Sequence, residues 1–222
     1  MIEKLHSIGI SNAMITSTVI MLILCAVAVI GGRRIESVPS SKLQNALEAG
    51  IEKLYRFFED IMGEYACRRY FPVVATLFIY ILVCNYSGLL PMAGHFPGLA
   101  APTSSINFPM GLAVVVFFAT QIVGIRESHG PRFFKHLFQP FAFLFPIMLV
   151  EQFVRPLSLT LRLYGNVFGE EAVVSSFFDM VPLGLPLPMQ ALSILMGFVQ
   201  ALVFSLLAAI YIGEAAHTAE HL

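Results

Sequence analysis

Arginine 162 is the residue of this chain with the clearest chemical consequence, because it lies inside an otherwise apolar stretch. It belongs to the string Arg155-Pro-Leu-Ser-Leu-Thr-Leu-Arg162-Leu-Tyr-Gly-Asn166. Inserting such a charge at a membrane centre costs about 2.5–3.5 kcal/mol on translocon scales, and chains tolerate it where the charge faces a partner, a cavity or an ion path. The string therefore predicts a device that moves charge across a membrane.

Polar residues recur around Arg162 with the spacing of one helix face. Positions three or four apart lie on one stripe of a helix, and this stripe contains Glu151, Arg155, Ser158, Arg162, Asn166 and Gly169. Glu170 flanks the stripe, whereas Glu171, nine residues after Arg162, points to nearly the opposite side. Two adjacent carboxylates inside an apolar stretch suit proton exchange.

A later apolar run carries a second set of polar side chains. Ser193 and Gln200 are seven residues apart, hence on one helix face, and Gln200 is the one amide between Ala191 and Ile212. Simpler structural roles remain open for these groups. A serine can bond its own helix backbone, an amide can join two helices, and Arg155 can extend to a membrane boundary. For Arg162 the alternative is a structural ion pair with a carboxylate.

The composition places the whole chain in a membrane. Hydrophobic residues make up 57% of the 222 positions and charged residues 12%, whereas soluble domains carry about 25% charge. The chain therefore lacks the polar groups that would cover a water-facing surface. Its net charge of −1 gives no indication of a nucleic-acid partner.

Motifs for metals, cofactors and nucleotides are absent from the sequence. The three cysteines form no CxxC pair, and the six histidines fall near segment ends or in connections, which argues against a haem or a buried transition-metal site. No GxxxxGK[ST] or HExxH string occurs, so neither an ATP site nor a membrane-embedded metallohydrolase is expected. We expect no metal and no cofactor.

Five apolar stretches are long enough to cross a membrane core, which takes about 20 helical residues. They are residues 13–30, 71–90, 107–125, 141–178 and 187–213. Seven of the 13 Lys and Arg residues lie from Arg33 to Arg69 and three more between the third and fourth stretches, whereas connections 91–106 and 178–187 have none. Positive loops stay in the cytoplasm, so the alternation predicts an N-terminus outside and a C-terminus in the cytoplasm.

The last two stretches are too long for upright spans. At 1.5 Å per residue they measure about 57 Å and about 40 Å, so they must tilt or bend. Pro146 and Pro156 are sites for a bend in the first of them, and the proline-rich string from Val181 to Pro188 separates the two. The predicted fold is an all-α membrane protein of one domain, residues 1–222, whose last two helices form a long, inclined hairpin.

Residues 41–64 have a different pattern. Leu47, Ile51, Leu54 and Phe58 continue an apolar stripe with helical period, and Lys53 and Arg56 are among the charged residues of the other side. The segment is predicted to be an amphipathic helix on the cytoplasmic membrane surface.

The string from Arg155 to Glu171, RPLSLTLRLYGNVFGEE, closely resembles the signature of subunit a of F-type ATP synthases, the membrane stator protein beside the rotating c-ring. The strings Asn85–Pro91 and Pro102–Asn107, and Gln200-Ala-Leu-Val-Phe, agree in order with the same family. The resemblance extends from about Gln44 to Ala216.

This resemblance implies roles for individual residues. Arg162 matches the essential stator arginine, Asn166 and Gln200 its polar neighbours, and Glu171 the acid of the outer half-channel. Ser193 stands where the family often has a histidine, and Ser105 where it often has an aspartate, so the outer proton path differs in detail. The predicted proton-translocation set is Arg162, Asn166, Glu170, Glu171, Ser193 and Gln200, with Glu151, Arg155 and Ser158 as candidates for an inner half-channel.

The resemblance also implies partners and a location. These are the c-ring, subunit b of the peripheral stalk, the lipid bilayer and transported H⁺ in preference to Na⁺, in the inner membrane of a bacterium. The chain would have no catalytic site of its own and would serve ATP synthesis within the complex. The alternative, a stand-alone proton-coupled transporter, would need a substrate site between internal repeats, and the sequence shows no repeat.

Overall fold

The computed structural model describes residues 12–33, 42–88, 102–127, 145–180 and 186–220, and these ranges contain six α-helices. A short 3₁₀ helix, Pro102–Ser104, precedes the fourth α-helix. The α-helices are α1 (Asn12–Gly32), α2 (Lys42–Met62), α3 (Glu64–Ser87), α4 (Asn107–Glu127), α5 (Phe145–Met180) and α6 (Pro186–Glu220). The prediction of an all-helical fold is confirmed for these described residues.

Four of these helices are long and apolar enough to cross a membrane, namely Ala13–Gly31 of α1, all of α3 and α4, and Gln190–His217 of α6. Helix α5 has 36 residues, which is also sufficient length. It differs from the other four because it contains six charged residues: Glu151, Arg155, Arg162, Glu170, Glu171 and Asp179. Four of the five predicted spans are thus supported by length and composition.

Two helices extend beyond the predicted spans at one end of the molecule. Helix α3 begins at Glu64, seven residues before the predicted Phe71, and α6 continues to Glu220, seven residues after the predicted Gly213. Hydropathy detects the part of a helix that faces lipid, whereas backbone hydrogen bonding continues through the polar turns beyond it. Helix α5 is continuous through Pro156, one of the two prolines at which a bend was predicted.

Helix α6 is the centre of the bundle and contacts α2, α3, α4 and α5. Its inward face has small residues, including Ala201, Ala208 and Ala209, all fully buried. Small side chains let helix backbones approach closely, which is how membrane helices gain packing energy. Large side chains from the neighbouring helices fill the spaces between them: Phe78, Ile81, Val116, Leu159 and Leu163.

A sharp junction joins α2 to α3 at Gly63, whose φ of 77° favours glycine. Helix α6 packs against this junction: a methyl group added at Gly213 would lie 3.3 Å from Met62 Cα. His217 Nε2 donates a hydrogen bond of 3.0 Å to the Met62 carbonyl. We call this end of the bundle, with the C-terminal half of α6 and the end of α4, the elbow end. The opposite end, where α5 ends and α6 begins, is the hairpin end.

Several sequence predictions fall outside the described residues. These concern most of the connection 91–106, the positively charged residues Arg132 and Lys135, and the proline-rich turn from Val181. The backbones of Glu151 and Glu171 lie in α5, but their side chains are outside the described set.

Candidate functional site

Helix α5 has one face packed in the bundle and one face turned away from it. Leu159 and Leu163 are buried against the other helices, whereas Leu157, Leu161 and Arg162 are exposed. The pattern follows the helical period, because side chains three and four residues apart lie on the same face of the helix. Arg162 thus belongs to the outward face, as a residue that meets a partner must.

The surroundings of Arg162 are open. No carboxylate whose side chain the structure describes forms an ion pair with it. Gly165 and Gly169 continue the same stripe towards the hairpin end, and a Cβ added at either would meet nothing within 4 Å. Ser158, one turn before Arg162, is also exposed. A cation flanked by small residues leaves room for a second helix to approach it closely.

Asn166 connects this stripe to helix α6. Its Nδ2 donates a hydrogen bond of 2.6 Å to Oε1 of Gln200, which is only 3% exposed. The two polar side chains predicted from different apolar stretches are therefore brought together, one turn from Arg162. Gln200 Nε2 is buried and has no hydrogen-bond partner among the described residues. An amide donor left in this state costs free energy unless water or another group satisfies it.

Asn85 extends the polar set and was not singled out as a site residue from the sequence. Its Nδ2 donates a hydrogen bond of 3.0 Å to the Gly197 carbonyl, three residues before Gln200 on α6. Its Oδ1, like Gln200 Nε2, is buried without a partner among the described residues. Ser193, one turn before Gly197, is 5% exposed and lies on the same side of α6. The available signal was that Asn85 is the one amide of helix α3.

Arg155 has surroundings unlike those of Arg162. Its Nη1 lies 2.8 Å from Glu214 Oε2 on α6, and its guanidinium carbon is 4.7 Å from the centre of the Tyr211 ring. Arg155 and Tyr211 also line a cavity of about 40 Å³ between α4, α5 and α6, together with Thr120 and Gln121. This volume exceeds that needed for one water molecule. Glu214 was missed from the sequence because it follows the predicted end of the last span at Gly213.

The remaining predicted residues occupy less defined positions. Glu170 is half-buried, one turn beyond Asn166 on α5. Glu171 and Glu151 are placed on the helix by their backbones alone. Thr160 Oγ1 donates a hydrogen bond of 2.9 Å to the Pro156 carbonyl within the same helix. In the described part of the chain, no three His, Cys, Asp or Glu residues form a group able to hold a metal ion.

Comparison with known proteins identifies the family. The family model described as "ATP synthase A chain" matches residues 14–213. ATP synthase subunit a 1 of Syntrophotalea carbinolica is 42% identical over 218 residues, which cover 96% of this chain and 89% of that protein. ATP synthase subunit a of Moorella thermoacetica is 40% identical over 216 residues, covering 97% and 95%. That of Geobacter sp. strain M21 is 41% identical over 218 residues, covering 95% and 91%.

The matched region includes Asn85, Arg162, Asn166, Ser193 and Gln200. The relatives are bacterial, and the four apolar helices fit a protein that crosses the membrane several times. The chain belongs to the ATP synthase A chain family and is a subunit a, the proton-channel stator subunit of F-type ATP synthase.

Proposed function

We propose that Arg162 is the stator arginine of this subunit and meets the carboxylates of a rotating c-ring. The observation that supports it is an outward-facing cation with open space beside it and no ion-pair partner among the described side chains. A guanidinium turned towards lipid alone would be costly. A neighbouring surface with carboxylates removes that cost, because each carboxylate pairs with the cation as it passes.

The electrostatics of this pairing drive proton release. A ring carboxylate is protonated while it faces lipid, and the positive charge of Arg162 favours its ionised form at the stator. Arg162 itself stays protonated, so it also blocks direct proton passage between two aqueous half-channels on either side of it. Each proton that crosses 100 mV releases about 2.3 kcal/mol, and several together drive ATP synthesis elsewhere in the complex.

The outer half-channel in this proposal follows the polar side of α6 from the hairpin end. Ser193, Asn166 and Gln200 line it, and the carboxylates of Glu170 and Glu171 exchange protons within it. Asn85 joins the set through its contact with the Gly197 carbonyl. The buried, unpartnered atoms Asn85 Oδ1 and Gln200 Nε2 support the assignment, because buried polar groups of this kind are hydrogen-bonded by water.

The inner half-channel opens at the elbow end. Glu151, Arg155 and Ser158 lie on the α5 stripe between that end and Arg162. The cavity beside Arg155, lined by Thr120, Gln121 and Tyr211, supports a water path on this side. Protons released from the ring near Arg162 leave along this route during ATP synthesis.

The remaining proposals concern partners and orientation. The elbow end faces the cytoplasm and the N-terminus is outside, because the positive residues of α2 and the first turns of α3 lie at the elbow end. Helix α2 lies on the membrane surface, α5 crosses the membrane at an incline as the partner of α6, and subunit b contacts the chain. The proposal also holds that the transported ion is H⁺ and that the protein lies in the inner membrane of a bacterium. Labelling of a cysteine at Ala219 from outside sealed cells would contradict this orientation.

Substitution of Arg162 tests the central proposal. Arg162→Ala should abolish proton-driven ATP synthesis and allow passive proton leak, because the barrier between the half-channels is lost. Arg162→Lys should remain severely impaired, since lysine lacks the planar fork that stays protonated in any setting. Assembly, synthesis and leak are measured on the same membranes.

A purely structural arginine gives a different pattern: failed assembly with alanine and near-normal function with lysine. Ser205→Ala on α6 serves as a matched control, because the Ser205 hydroxyl is satisfied by the Ala201 carbonyl at 2.8 Å. Normal synthesis by an assembled Arg162→Ala complex would refute the proposal.

A further inference from the structure

Helix α5 presents two arginines on one stripe, and only one of them can serve as the stator cation. Arg155 and Arg162 are seven residues apart, which places them on the same face about 10 Å apart along the axis. Both would attract a passing carboxylate if both were free. With two available cations, a ring carboxylate could release its proton at two positions. A single release point therefore requires that only one of the two arginines is available to the ring.

The structure distinguishes them by a residue of helix α6. Glu214 Oε2 lies 2.8 Å from Arg155 Nη1, and their side chains are 54% and 31% exposed. The Tyr211 ring, one turn before Glu214, lies against the guanidinium with 4.7 Å to its centre. Arg155 is therefore drawn inward against α6. Arg162, in contrast, has no ion pair with any carboxylate that the structure describes.

We propose that Glu214 is a positioning residue that neutralises Arg155, so that Arg162 is the cation available to the ring carboxylates. The inference rests on the proposed function of Arg162 and identifies Glu214 as the counter-charge of the neighbouring Arg155. A neutral Arg155–Glu214 pair also removes a positive barrier beside the cavity that Arg155 and Tyr211 line. Protons leaving towards the elbow end then pass a neutral ion pair in place of a bare cation.

The test compares variants in which the net charge of the pair differs. Glu214→Gln removes the negative charge of the pair and keeps the positive one, whereas Arg155→Gln with Glu214→Gln removes both charges. Both are made in the intact complex, and passive proton conduction is measured in membranes stripped of the catalytic sector, normalised to assembled complex. Glu214→Gln should lower conduction about tenfold, the scale on which a neighbouring charge alters the proton affinity of a carboxylate. The double variant should conduct severalfold better than Glu214→Gln, because the net charge of the pair is again zero.

A structural clamp between α5 and α6 would behave otherwise. Loss of the clamp would reduce the amount of assembled complex similarly in the single and double variants, with unchanged conduction per complex. Glu52→Gln is the matched control, because it breaks an exposed ion pair of 2.6 Å with Arg56 on α2. It should conduct like the parent, since this pair lies on α2 and not on the stripe of α5 that carries Arg155 and Arg162.

Glu151 provides the comparison that identifies the counter-charge. It precedes Arg155 by four residues, a spacing that permits an ion pair within one helix. A loss of conduction with Glu151→Gln but none with Glu214→Gln would overturn the assignment, as would a double variant no better than Glu214→Gln. These results are separable from failure of the Arg162 proposal. If Arg162→Ala abolishes synthesis while Glu214→Gln conducts normally, only the present inference fails.

Discussion

The elbow end and the middle of the bundle differ in whether their polar groups have partners within the chain. At the elbow end, Glu127 receives hydrogen bonds from Tyr70 at 2.5 Å and Tyr65 at 3.0 Å, and Arg69 lies 3.1 Å from it. In the middle, the Gln200 amide has a donor with no partner among the described residues, and Arg162 faces outward. The first region makes these contacts within the chain, whereas in the proposed function the second is completed by water and a second subunit.

The difference has a physical basis. A buried polar group with all its hydrogen bonds made stabilises the fold modestly, whereas one left unmade costs about 1–3 kcal/mol. A chain selected for stability alone would satisfy or remove such groups. In the proposed function, such groups remain around Arg162 because the proton path needs them, at a cost in local stability. The same contrast separates the two arginines of α5, since Arg155 is paired within the chain.

The largest effect on proton conduction is expected when the polar residues in the middle of the bundle are replaced by apolar ones. Asn166→Leu combined with Gln200→Leu removes both partners of the 2.6 Å hydrogen bond, and such paired replacement is nearly neutral for stability. The complex should therefore assemble normally. Proton conduction per assembled complex should fall at least about tenfold, because water is no longer held at this point of the outer path.

Ser205→Ala is the control on the same helix, since Ser205 is buried yet already bonded to its own backbone. It should leave conduction unchanged. If the double leucine variant conducted protons at the parental level, the unpartnered Gln200 amide would have no role in the proton path. The difference between the two regions would then have no bearing on function.

Much of the architecture could be predicted from the sequence. Apolar length identified α1, α3, α4 and α6, because lipid leaves helices as the available structure for a single segment. The cost of a charge in an apolar stretch singled out Arg162, and helical spacing put it on one stripe with Asn166. Asn166 and Gln200 were expected on two helices of a hairpin and, through the family resemblance, near Arg162, whereas their direct hydrogen bond was not predicted.

The residues that the sequence did not reveal depend on packing between helices distant in the chain. The Asn85 contact with the Gly197 carbonyl joins positions 112 residues apart, and the Arg155–Glu214 pair joins positions 59 apart. Neither spacing has a local period, so no pattern within one segment indicates them. Helix ends were missed for a related reason, since polar turns at α3 and α6 are stabilised by the elbow and not by lipid.

A smaller effect is expected at the elbow end. Tyr70→Phe keeps the ring, which is 8% exposed, but removes the hydroxyl that donates to Glu127. A hydrogen bond to a charged group contributes about 1.5–3 kcal/mol, and here Tyr65 and Arg69 still hold the carboxylate, so the loss should lie at the low end. Thermal inactivation of the purified complex should occur at a lower temperature, with proton conduction per complex unchanged. Tyr65→Phe, on a side chain that is 48% exposed, should shift it less. If Tyr70→Phe instead lowered conduction without loss of stability, the cluster around Glu127 would belong to the proton path and would not be purely structural.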